Sequence, residues 1–244
     1  MNRFLKGAMI LTIAGVIVKI IGAFSKVLVA RILGGEGIGL YMMAYPIYQI
    51  IVSISAAGIP VAISIMIAEK LANRDMRGVQ QVFNVSLRVL TLVGIIFSVG
   101  LYASAEWLIK WNIITDSRAL IPIQLLSPAI IVVTILSCFR GYFQGFQYMV
   151  PTGTSQVFEQ IFRVGSMVGL AYYFIDSGLH LAAGGATFAT FPGVLAGLIV
   201  LVYFYRSQRS LRQQMLSEQN EEAPIERTSA VIKRLFALAI PVSM

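Results

Sequence analysis

Apolar residues fill this chain in six long runs, and polar residues are confined to the gaps between them and to a few places within. The runs cover approximately residues 8–33, 38–68, 83–104, 119–139, 152–175 and 181–205. Each exceeds the roughly 20 residues a helix needs to cross about 30 Å of hydrocarbon at about 1.5 Å per residue. In lipid the backbone must satisfy its own polar groups, so runs of this length predict transmembrane helices. The second run is too long for one straight crossing, and Pro46 and the Gly58-Ile59-Pro60 sequence predict a kink or a projecting end. The expected fold class is all-α: a polytopic membrane protein whose six transmembrane helices form one lobe over residues 1–205. Residues 206–230 read as a polar, mixed-charge cytoplasmic linker. Residues 231–244 start a further apolar segment, too short to span a bilayer, after a basic turn like the one at the N-terminus. They are expected to open a seventh helix and a second lobe, making the chain the N-terminal part of a longer protein.

The most polar stretch inside the oily background is residues 140–163, RGYFQGFQYMVPTGTSQVFEQIFR. On a helix at about 100° per residue, Gln156, Glu159, Gln160 and Arg163 fall at roughly 0°, −60°, 40° and −20°. They share one face, and in lipid such a stripe must look into protein or a water-filled cavity. Glu159 and Arg163 stand i, i+4 with the acid first, the favourable order for an intrahelical pair. Two readings stay open. The pair is structural, with Gln156 and Gln160 bonding neighbouring helices, or the stripe lines a cavity that hydrogen-bonds sugar hydroxyls or couples to an ion.

Span one carries Lys19 and Lys26, seven residues and so about 20° apart, with Gly15 and Gly22 on or near the same face. A lysine at mid-membrane costs roughly 2.5–3.5 kcal/mol on insertion scales. The functional reading is a cation pair facing a cavity that takes an anionic headgroup; the alternative is that Lys26 snorkels to the interface. Tyr41, Tyr45 and Tyr48 share a face of span two, as interfacial anchors or as stacking surfaces for a sugar. Gln81, Asn84 and Arg88 share a face of span three, either a solvated helix end or, through Arg88, a further cation for the cavity.

Composition agrees with the pattern. Of 244 residues, 57% are hydrophobic and only 12% charged, against about 25% charged in soluble domains. The net charge of +8 needs no nucleic-acid partner, because membrane proteins concentrate Lys and Arg in cytoplasmic loops. With the N-terminus inside, twelve basic residues lie on the inner side, Arg140 after span four among them, and three (Arg31, Lys110, Arg118) on the other. Both ends are therefore expected to be cytoplasmic. The single cysteine, Cys138, and the single histidine, His180, offer neither a disulfide framework nor a His-rich metal site. No zinc-protease, nucleophile-elbow or paired-aspartate motif is present, so no enzyme, metal or cofactor is expected.

Four stretches, LKGAMILTIAG, ARILGGEGIGLYMMAYPIY, GIPVAISIMIAEK and RGYFQGFQYMVPTGTSQVFEQIFRV, together resemble the stage V sporulation protein B type of polysaccharide transporter. That group belongs to the multidrug/oligosaccharidyl-lipid/polysaccharide exporter superfamily, which also contains lipid II flippases. The resemblance implies two six-helix lobes and alternating-access movement of undecaprenyl-linked sugars or peptidoglycan precursors across the cell membrane, the second lobe coming from the same or another chain. It implies a cavity role for Lys19, which matches a basic first-span position of the flippases; Lys26 matches less well. The expected substrate-binding set is Lys19, Lys26, Arg88, Gln156, Glu159, Gln160 and Arg163. The alternatives are a cation-coupled multidrug exporter, which would use acidic cavity residues, and a non-transporting scaffold for cell-wall or spore-envelope assembly.

Overall fold

The structure, a computed structural model, describes residues 3–56, 58–217 and 226–243. Every regular element among them is helical. Helix α1 (Arg3–Ala56) is two arms joined at Gly34, where φ is 66°. That left-handed conformation costs a side chain with a Cβ but not glycine. The arms fold back on each other: residues 18–26 of the first and 41–49 of the second line one cavity. Helix α2 (Ile59–Ala72) continues the second crossing after the Gly58 break, with Pro60 in its first turn, where its missing N–H costs nothing. The kink expected near Gly58 is here a complete interruption, whereas the helix runs on through Pro46.

Helix α3 (Met76–Lys110) opens on Asp75, whose carboxylate accepts from the Gly78 amide at 2.7 Å, a side-chain N-cap. Helix α4 (Leu120–Gly145) runs six residues past the apolar stretch that predicts it. Arg140, expected in a loop, is therefore within a helix. Helix α5 (Val150–Phe174) carries the polar stripe. The sixth crossing is not one helix but two, α6 (Leu179–Phe188) and α7 (Thr190–Ser207). Pro192 explains the interruption: a continuous helix would press its ring against the carbonyl of residue 188. Helix α8 (Arg209–Ser217) lies within the expected linker, and α9 (Thr228–Ser243) follows. Residues 218–225 of that linker, and Met244, lie outside the described residues.

Large apolar side chains lie outside as well as inside. Leu92, Ile96 and Val99 of α3 and Phe24 of α1 are 59–69% exposed, as a lipid-facing surface requires. The interior holds small and hydroxyl side chains: Ser86, Ser127, Thr134, Thr152, Ser155 and Thr187 are buried. Several return their hydroxyls to backbone carbonyls, as Thr134 does to Ile131 at 2.9 Å and Thr187 to Pro122 at 3.1 Å. Such bonds let polar groups sit in a dry interior and bring helices close. One apolar cluster joins the second arm of α1 to α4 and α6; another joins α2, α3 and α4 around Phe83, Phe139 and Tyr142. Helix α9 lies on α2 and α3 and buries Val231, Leu235 and Ala239, spaced four apart on one face.

Candidate functional site

The site is built where the α1 hairpin meets α5. A cavity of about 660 Å³ is lined by Lys19, Gly22, Ser25 and Lys26 of the first arm, Tyr41, Tyr45 and Gln49 of the second, and Gln160, Arg163 and Met167 of α5, with three apolar neighbours. Helical spacing does the placing. Lys19 and Lys26 are two turns apart on one side of α1, and Gln160 and Arg163 are neighbours on α5. Gly22 brings the helices together, since a Cβ there would lie 3.3 Å from Gln160 Nε2. Gly15 does not have the same part; nothing lies within 4 Å of the position of its Cβ.

The lining carries three cations and no carboxylate. Lys19 and Lys26 have no ion-pair partner among the described residues. Arg163 has one, Glu159, but shares it: one Glu159 oxygen takes Arg163 and the other takes Arg140 at 2.8 Å. This group is packed between α4, α5 and α7, with side chains 14–21% exposed. Helix α7 offers it two glycines. A Cβ on Gly193 would stand 2.7 Å from the Arg163 Cβ, and one on Gly197 would stand 3.2 Å from the Glu159 Cβ. Nε of both arginines is buried without a partner among the described residues. Three cations with amide and phenol donors around them offer hydrogen bonds and charge to an anion.

Of the seven residues expected from the sequence, four are brought together on the cavity wall: Lys19, Lys26, Gln160 and Arg163. Glu159 stands behind the wall in its arginine pair, Gln156 is half-buried on α5 outside the lining, and Arg88 is exposed on α3. Tyr41 and Tyr45 are stacked at 5.3 Å on the wall, while Tyr48 is buried in the core. Sequence reasoning passed over Gln49 and Arg140. Gln49 continues the Tyr41–Tyr45 face by one more turn, which is the signal that finds it.

The family described as "Polysaccharide biosynthesis protein" matches residues 4–232. Stage V sporulation protein B of Bacillus subtilis (strain 168) is 34% identical over 211 residues, covering 86% of this chain and 40% of that protein. Lipid II flippase MurJ of the same organism is 27% identical over 250 residues, 98% of this chain and 46% of that protein. Among solved structures, an outward-facing multidrug resistance MATE family transporter of the MOP superfamily superposes with a TM-score of 0.80 at 15% identity, over 99% of this chain and 51% of that one. A MATE in complex with MaD3S gives 0.79 at 16% identity, over 99% and 52%. At that identity the likeness is one of fold. The chain spans about half the length of the proteins it matches.

Proposed function

We propose, for a chain that belongs to the polysaccharide biosynthesis protein family, that it forms one lobe of a flippase for lipid-linked saccharides. The substrate would be an undecaprenyl-linked sugar or a peptidoglycan precursor, moved across the cytoplasmic membrane by alternating access against a second lobe of the same or another chain. The observation that carries the reading is a cavity wall with three cations and no carboxylate, reached from within a membrane fold. A charged phosphate headgroup crossing a bilayer must be shielded from hydrocarbon, and cations on inner helix faces supply that shield. Lys19, Lys26 and Arg163 meet the phosphates. Gln160, Gln49 and the Tyr41–Tyr45 pair face sugar hydroxyls and ring faces. The lipid tail stays outside, against the apolar surface.

Helix α9, after the linker, is the opening of the second lobe in this reading, and both ends lie in the cytoplasm. A cation-coupled drug exporter fits less well, because the carboxylate next to this cavity, Glu159, lies outside the lining and is held by two arginines. The test is reconstitution of the full-length protein in vesicles with a fluorescent undecaprenyl-diphosphate sugar. Dequenchable label should cross the bilayer with the protein and not without it. Crossing that is equally fast in protein-free vesicles, or export of cationic dyes with no lipid movement, overturns the proposal.

A further inference from the structure

We propose that Arg140 is a positioning residue that sets the charge of the cavity by keeping Glu159 from neutralising Arg163. The inference rests on the reading of the cavity as an anion site. Arg140 is not in the lining; it reaches the site from α4 through Glu159 Oε2 at 2.8 Å, with Ser155 Oγ at 3.5 Å from the same nitrogen. Arg163 takes the other Glu159 oxygen and is the member of the trio that lines the cavity.

A carboxylate divided between two guanidiniums neutralises neither fully, so the trio keeps one net positive charge. A carboxylate left to one guanidinium closes a two-bonded fork of zero net charge. The glycines of α7 bring its backbone against the Cβ atoms of Glu159 and Arg163, which fixes where both side chains start. Arg140 therefore occupies the oxygen that would otherwise complete a fork with Arg163, and Arg163 stays available to the cavity.

Charge arithmetic gives the two partners opposite effects. Loss of the Arg140 charge leaves Glu159 to Arg163 and makes the cavity more negative, which weakens anion binding. Loss of the Glu159 charge leaves Arg163 unopposed and strengthens it. A trio that merely held helices together would weaken binding in both cases.

The experiment is calorimetric titration of inorganic pyrophosphate into the full-length protein in nanodiscs of zwitterionic lipid at low salt. Arg140→Gln should bind about tenfold more weakly and Glu159→Gln about tenfold more tightly than wild type, the scale of one charge at short range in a partly hydrated site. Arg140→Lys should restore most of the affinity lost in Arg140→Gln, and the double variant R140Q/E159Q should fall between the singles. Weaker binding in both single variants overturns the inference and leaves the trio a packing device. If Arg140→Gln does not fold, Glu159→Gln decides alone, since tighter binding supports the inference and weaker or equal binding overturns it. A wild-type protein that shows no saturable pyrophosphate binding, or binding untouched by Lys19→Ala, removes instead the anion-site reading beneath it.

Discussion

Two clusters of buried and half-buried charge sit at different places in this molecule, and they are balanced differently. At the α2–α3 turn, Lys70 Nζ meets Glu226 at 2.7 Å and Asp75 at 3.3 Å, Arg234 pairs with Glu69, and the Gln81 amide donates to the Glu226 carbonyl. Each cation named there has a carboxylate, and three of the carboxylates and cations are 35–45% exposed. Around α5, by contrast, Glu159 serves both Arg140 and Arg163, and Lys19 and Lys26 stand nearby with no ion-pair partner among the described residues. Matched charges tie α9 and the preceding residues to the lobe. Surplus cations beside a cavity do nothing for the fold that justifies their cost, which is the ground on which we propose them as the site.

The largest test of this contrast is functional. In the full-length protein, Lys19→Ala and Arg163→Ala should each reduce complementation of a flippase-deficient strain to the level of an empty vector, with the protein still present in membranes by immunoblot. Lys70→Ala should leave complementation intact. Normal growth of both cavity variants would dissolve the distinction between the clusters.

The next effect is on stability. Glu159→Leu leaves two guanidiniums in a poorly hydrated site and should cost about 3 kcal/mol. Adding Arg163→Leu should recover part of that loss, because the single remaining arginine stands at the end of α4 near Ser155. Lys70→Met, whose partner Glu226 is 35% exposed, should cost about 1 kcal/mol and less at high salt. Thermal unfolding in detergent, followed by far-ultraviolet dichroism, ranks the three. A double variant less stable than Glu159→Leu would mean that Arg163 packs well without its partner.

How much of this was legible in the sequence depends on the element. The stripe on α5 was legible because its positions recur at helical spacing in an apolar background. Its division was not. The stripe is about 100° wide; its Glu159 edge faces Arg140 and Gly197, its Gln160 edge faces Gly22, and Arg163 lies between. Which edge meets which neighbour is decided by tertiary packing. Arg140 read as a loop residue because it ends an apolar run, yet α4 continues to Gly145 through residues that pack on α2: Cβ atoms at Gly141 and Gly145 would stand 2.8 Å and 2.7 Å from Ile63 and Ile67. The six crossings were readable from length alone. The interruption before Pro192 could have been found by asking what its ring does to the residue four before it.

A smaller effect separates glycines that carry the site from those that do not. Gly193→Ala places a methyl 2.7 Å from the Arg163 Cβ and 3.0 Å from the Glu159 carbonyl oxygen, and overpacking of this kind costs about 1–3 kcal/mol. Gly15→Ala meets nothing within 4 Å and should be neutral or slightly stabilising, since alanine is the better helix former. Equal melting temperatures for the two variants would mean that α7 can retreat from α5 without loss.

The smallest effect concerns the turn at the other end of the lobe, where Arg118 joins Asp116 at 2.7 Å to Glu36 at 2.7 Å beside the Gly34 bend. The side-chain and backbone hydrogen bonds from Arg118 hold the Asp116 carboxyl below its ordinary pKa. A lowered folded pKa means that the contribution to stability is complete above the unfolded value and is lost as pH falls through the folded one. Asp116→Asn keeps an oxygen for the Arg118 amide but removes the charge. The difference in melting temperature between wild type and Asp116→Asn should therefore be small at pH 7, shrink in acid as the carboxyl protonates, and stay flat between pH 6 and pH 8. A difference that grows on acidification would mean that the unfolded chain, not the Arg118 clamp, holds the lower pKa.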